Sequence, residues 1–214
     1  MGSGRGTPKG RRRWGEEPPG PIQRLIGRVR ALVGGDAAKP REGLRELPLA
    51  LRHGDVAALY LAAEHDSDHR RAGAAAASAM DEAIGRGDWW GADIWAHRGL
   101  WHFEQAELPL QAARQARRIG DLRSAAGDPD SARRYYAEAI DEARDIGAEH
   151  EQGLAALGLG RALLELGDVT TGRRLAGAAE TLLERAGAPE IEIETARRVR
   201  GTELAVGERT EERE

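Results

Sequence analysis

The chain has 214 residues, a formal net charge of −4, 40% hydrophobic residues, 32% charged residues and no cysteine. That length suits one sizeable domain or a short repeat array. The absence of cysteine excludes disulfides, zinc–thiolate sites and thiol nucleophiles. The apolar share is mostly Ala and Leu, with a single Phe (Phe103), which fits closely packed helices better than sheets.

Charge is distributed unevenly. Residues 1–41 carry ten Lys/Arg and three Asp/Glu, a surplus of +7, and residues 42–214 carry 22 and 33, a balance of −11. The body is therefore a poor nucleic-acid surface, whereas the arm suits phosphate or anionic lipid. Only Lys9 and Lys39 are lysine, and this Arg, Ala and Gly bias resembles that of a GC-rich bacterial genome.

In chain order, residues 1–20 are Gly, Pro and Arg with almost nothing to bury, and are expected to be a disordered basic arm. Arg11-Arg12-Arg13 is followed by Trp14-Gly15-Glu16-Glu17-Pro18-Pro19 and by no apolar run, so no export signal and a cytoplasmic location are expected. Pro21 opens a segment, 21–35, in which Ile22, Leu25, Ile26, Val29, Leu32 and Val33 fall on one helical stripe, with Arg24 and Arg28 opposite and Arg30 on the flank. Gly34-Gly35 ends it. Three readings of this amphipathic helix stand: a cap on the repeats, a ligand for a partner groove, or a contact to an anionic membrane.

From Pro40 to about residue 202 the pattern is helix after helix. Breaks are expected at 54–55, 66–68, 87–88, around Pro109, at 127–129, 147, 167–168 and 187–189. No window alternates with period two, so no sheet is expected. Residues 190–201 read as a closing helix with Ile191, Ile193, Ala196 and Val199 as its apolar positions, and 203–214 as an acidic disordered tail. No stretch approaches the ~20 apolar residues of a transmembrane helix.

The deciding feature is a repeat. Gly-Asp pairs stand at 87–88, 127–128 and 167–168, a period of 40 residues. The last two copies match internally: Ala116, Ile119-Gly120, Gly127-Asp128, Ala132, Tyr136, Ala139 against Ala156, Leu159-Gly160, Gly167-Asp168, Gly172, Ala176, Ala179. Glycine ends one helix with positive φ, and aspartate caps the next. Repeats of this length stack because one helical hairpin cannot bury its own apolar face. The pattern resembles the tetratricopeptide repeat family in a 40-residue form, over about 108–187 and more loosely over 70–107. Arg123, Met80 and Gly172 depart from its usual residues. The resemblance implies an all-α solenoid of about four antiparallel hairpins that binds a protein or peptide on its concave face.

On that resemblance the groove positions are Arg114, Arg117, Asp121, Ser124 and Ala125 on one hairpin, and Leu154, Leu157, Arg161, Leu164 and Glu165 on the next. Arg114, Arg117 and Arg161 suit partner carboxylates, since a guanidinium offers bidentate geometry; the alternative is plain solvated helix charge. A second feature is the concentration of four of five Trp in 89–101. Ala92, Ala96, Gly99 and Phe103 make one helical face, and Trp90, Ile94, His97 and Trp101 make another. The second stripe reads as core, as a dock for the 21–33 helix, or as a partner or self-association surface. His65 and His69 are four apart but straddle a break, where Asp66, Ser67 and Asp68 read as caps, so no metal is expected. No P-loop and no Ser-His-acid arrangement is visible, and no cofactor or catalysis is expected. The sequence therefore reads as a non-catalytic adaptor or scaffold; the alternative is an adaptor tethered to membrane or nucleic acid through residues 1–33.

Overall fold

The computed structural model describes residues 54–201; the arm 1–20, the helix expected over 21–35 and the tail 203–214 lie outside them. Eight helices follow one another: α1 Asp55–His65, α2 His69–Gly85, α3 Trp89–Gln105, α4 Pro109–Ala125, α5 Pro129–Asp145, α6 Glu149–Glu165, α7 Val169–Arg185 and α8 Glu190–Gly201. No strand occurs among the described residues.

The 40-residue sequence period is a 20-residue period in the backbone. Helices α2 to α7 start at 69, 89, 109, 129, 149 and 169, and all are 17 residues long. One turn design joins them. At 86–88, the amide of Gly87 donates to Ile84 O and that of Asp88 to Ala83 O, closing α2 with paired 5→2 and 6→1 bonds. The same Asp88 then opens α3, its carboxylate accepting from the Gly91 amide at 2.9 Å. Residue 88 thus ends one helix and begins the next, so the chain reverses in three residues and consecutive helices pack side by side.

The design requires positive φ at the middle turn residue. Glycine supplies it at 87, 127, 147, 167 and 187, but Ser67 (φ 56°) and Glu107 (φ 53°) adopt it too. A Cβ makes that conformation unfavourable, but both turns close with the same backbone bonds, Ser67 N to Glu64 O with Asp68 N to Ala63 O, and Glu107 N to Glu104 O with Leu108 N to Phe103 O. The aspartate caps at 68, 88, 128 and 168 each accept a backbone amide, whereas Leu108 and Ala148 cap through no side chain. At α4, Pro109 in the first turn, with its preset φ and no amide to satisfy, stands in for the missing cap.

The closest pairs are α2–α3, α4–α5 and α6–α7; each also packs on the next helix, and α4–α6 and α6–α8 touch across an intervening helix. Small residues make this possible. Gly160 and Gly172 bring the α6 and α7 backbones together: a Cβ on Gly172 would lie 2.8 Å from Gly160 O. At Gly120 the freed space is filled instead by a side chain, the ring of Tyr136 from the paired helix. The interior is mainly alanine, filled out by Tyr60, Met80, Leu100, Ile119, Ile140, Leu159, Leu175 and Leu183. In α8, Ile193, Ala196 and Val199 are buried as expected, but Ile191 faces solvent at 71% exposure, because nothing described packs beyond the first turn of this last helix on that side.

Candidate functional site

The face built from α2, α4 and α6 is stitched by ion pairs between helices. Arg118 of α4 pairs with Asp81 of α2. Glu151 of α6, only 3% exposed, accepts from Arg117 Nε at 2.5 Å and lies 3.6 Å from Arg114 Nε. Arg117 also donates to Asp121 Oδ2 at 2.9 Å. Burial works against the Arg117 charge, but Glu151 and then Asp121 outweigh it and hold its pKa above the ordinary guanidinium value. Arg114, Arg117 and Asp121 therefore share one face, with both arginines turned to a carboxylate of their own chain.

The neighbouring groove positions divide. Leu157 and Leu164 turn into the core, Leu154 and Ser124 are half-buried, and Ala125 is exposed. Arg161 and Glu165, one turn apart on α6, are both exposed, and neither has an ion-pair partner among the described residues. They are the two groove charges left available to another molecule.

Tyr136 couples the face to the layer behind it. Its ring lies in a slot whose sides are Gly120 of α4 and Gly158 of α6, where an added Cβ would strike the ring at either glycine. Its hydroxyl donates to Asp121 Oδ1 at 2.8 Å. Burial first, and then the neighbouring Asp121 charge, raise the Tyr136 pKa well above the ordinary phenol value, so it stays a donor.

The tryptophan stripe is split. Ile94 is buried, whereas Trp90 is 58% and Trp101 38% exposed; Trp89 is also exposed and Trp95 is core. His97 turns inward, its Nε2 2.8 Å from the Tyr135 hydroxyl, and Arg123 reaches Asp93 at 2.7 Å. Trp101 meets the rings of His69 and His102 edge-on at 5.3 and 4.7 Å.

Beside Trp101 lies a polar network that no local sequence pattern marks. Arg98 donates to the Tyr60 oxygen at 2.8 Å, and Tyr60 donates to Glu64 Oε1 at 3.0 Å. His102 Nε2 is 3.0 Å from the same Tyr60 oxygen, and its Nδ1 is 3.0 Å from His69 Nδ1. With the Tyr60 proton committed to Glu64, Nε2 of His102 must carry its own proton and donate to Tyr60. Its Nδ1 is then the acceptor for His69 Nδ1–H. With His102 neutral, every polar hydrogen between these rings is paired. Burial, then His69, then Arg98 push its pKa down to about 4. Burial in turn pushes the Tyr60 hydroxyl up to about 12. Such a network locks α1 onto α2 and α3. His65 closes α1 and His69 opens α2, so this pair shares no helix face and forms no i,i+4 metal site.

On another edge, the end of α3, the start of α4 and the end of α5 enclose a cleft of about 450 Å³. Leu108, Pro109, Ala112 and Ile146 form its apolar part, and Glu104, Glu107, Glu142 and Asp145 its charged part. Carboxylate oxygens of Glu104, Glu138 and Glu142 lie within 4.8 Å of one another, a spacing that suits a hard cation or a guanidinium. No local sequence pattern marks these acids, because Glu104 on α3 and Glu138 and Glu142 on α5 are more than 30 residues apart.

Among the described residues, no helix is long and apolar enough to cross a membrane. No known protein-family model matches the chain, and no curated protein matches it either.

Proposed function

We propose that this protein is a non-catalytic adaptor whose tetratricopeptide-like helical repeats, read as an α-solenoid, hold a protein or peptide on the face of α2, α4 and α6. The observation that carries this reading is the contact of α4 with α6, and of α6 with α8, across the intervening helices. Helices α4, α6 and α8 thereby form one surface, to which the Arg118–Asp81 pair joins α2, as repeat architectures do when they bind extended partners. Exposed Arg161 and Glu165 provide the polar contacts, with half-buried Leu154 beside them. Arg114 and Arg117 have a structural part in holding Glu151, so they shape the surface more than they contact a ligand.

The test is capture of binding proteins from the native lysate by wild type and by an Arg161→Glu/Glu165→Lys variant. Reversing Arg117 is uninformative, because it places a second carboxylate against Glu151. Loss of the captured protein with unchanged helicity is the expected result. Capture unaffected by the reversal removes the α6 charges from the binding surface.

A second reading, tethering to an anionic membrane or nucleic acid through residues 1–33, is favoured by the +7 surplus of residues 1–41. Its mark is association with vesicles or nucleic acid that disappears when residues 1–33 are deleted and weakens with salt.

A further inference from the structure

We propose that α1 is a pH-released cap: acidification undocks this one helix from α2 and α3 while the rest of the array stays folded. The device is independent of what the face of α2, α4 and α6 holds. Helix α1 is the first described helix and is lightly held. It has 11 residues where α2 and α7 have 17, and Gly54 caps its start with no side chain. It buries only Ala57, Tyr60 and Ala63, whereas α7 buries Leu175, Leu182 and Leu183 among others. Tyr60 is thus its one large anchor, and an element with so little buried apolar surface opens at low free-energy cost.

That anchor sits among titratable groups from all three helices. Glu64 comes from α1, His69 from α2, and Arg98 and His102 from α3. Arg98, 4% exposed, donates to the Tyr60 oxygen at 2.8 Å and lies 3.7 Å from Glu64 Oε1. His102 meets the same Tyr60 oxygen through Nε2 and His69 through Nδ1, both at 3.0 Å. The Tyr60 ring stands edge-on to Trp95 at 5.1 Å and to His102 at 5.4 Å. Glu64 is the one carboxylate in this cluster, and it already faces Arg98 and the Tyr60 hydroxyl.

A proton on His102 therefore creates a second buried cation in a pocket that already holds one. Two like charges so close repel, and neither is hydrated while α1 covers them. Departure of α1 takes Tyr60 away and lets water reach His102 and Arg98, so protonation and release favour each other. Release also uncovers Trp95, whose ring is 2% exposed while Tyr60 stands on it. The opposite end of the array lacks this conflict. There His150 of α6 faces the Glu192 carboxylate of α8 at 2.7 Å, a contact that a proton strengthens. Acid thus loosens the first described helix and not the last.

The test is native-state hydrogen exchange of the full chain at about pH 7.5 and about pH 5, with and without low urea, for wild type and His102→Gln. Each amide rate is divided by its intrinsic value at that pH. At both pH values the amides of Ala62 and Ala63 in α1 should be less protected than those of Leu159 and Ala162 in α6, and should respond less to urea, the mark of local opening. Acidification should raise the opening of wild-type α1 about thirtyfold, the change that follows when His102 moves from about 4 in the docked helix to its ordinary 6.5 on release. In His102→Gln the opening should change less than about threefold. The imidazole carbon shifts of wild-type His102 at about pH 5 should report a neutral ring, a reading that depends on no variant. Equal protection and urea response of α1 and α6 would overturn the proposal. So would a pH response that survives His102→Gln, or a charged His102 ring in the folded chain at that pH.

Discussion

Lowering the pH should weaken this fold through one imidazole. In the folded chain His102 is 1% exposed and its pKa is pushed down to about 4; unfolding returns it to the ordinary value of 6.5. Between these values the unfolded chain holds one more proton than the folded chain, so stability is complete above about pH 6.5 and falls as the pH falls toward 4. From about pH 7.5 to about pH 5, the single-site linkage relation gives a loss of about 2 kcal/mol from His102 alone. The groups facing it are Tyr60 and Glu64 from α1, His69 from α2, and Arg98 and Trp101 from α3. A proton on Nδ1 would put a buried charge beside His69 and a second cation near Arg98. The assay is urea unfolding at both pH values for wild type and for His102→Gln, whose amide still donates to Tyr60. Other titrating groups contribute equally to both proteins and cancel in the comparison. Wild type should lose about 2 kcal/mol more than the variant on acidification. Parallel losses would refute the neutral, buried assignment of His102.

The split of the tryptophan stripe predicts unequal costs on denaturant unfolding: Trp95→Ala about 3–5 kcal/mol as a core truncation, and Trp90→Ala within about 0.5 kcal/mol. Equal costs would place both rings in the core. Gly158→Ala drives a methyl group into the Tyr136 ring and should cost about 2 kcal/mol by overpacking. Gly85→Ala, a helical glycine whose added Cβ meets nothing, should instead stabilise by about 0.5–1 kcal/mol; a melting-temperature series separates the two signs. Glu151→Leu should cost about 3 kcal/mol, since it strands the partly buried Arg117, and adding Arg117→Leu should restore most of that. A double-mutant cycle with no coupling would show that this pair does not hold α4 to α6.

The sequence by itself determined the all-helical architecture and the helix boundaries, because both rest on local chemistry. Pro109 and Pro129 open helices; the Gly-Asp pairs and Asp66-Ser67-Asp68 mark turns; and alanine-rich windows without β-branched runs leave helix as the favoured state. It concealed half of the period. Seven turns share one backbone design, but Ser67 and Glu107 adopt positive φ without glycine, and Gly147 and Gly187 are followed by Ala148 and Ala188, so only alternate turns carry the Gly-Asp mark. The fate of each side chain was decided by tertiary contacts. Helical spacing placed Arg114, Arg117 and Asp121 on one face, but only the packing of α6 brought Glu151 among them, 34 residues along the chain from Arg117. The spacing of Trp90, Ile94 and Trp101 likewise showed a shared stripe, while its division into buried Ile94 and exposed Trp90 was decided by tertiary packing. The Tyr60–His102–His69 network and the acidic cleft were invisible for the same reason. Local periodicity specifies which residues share a helix face, whereas charge pairing and burial depend on separations of 30 to 40 residues that no local pattern encodes.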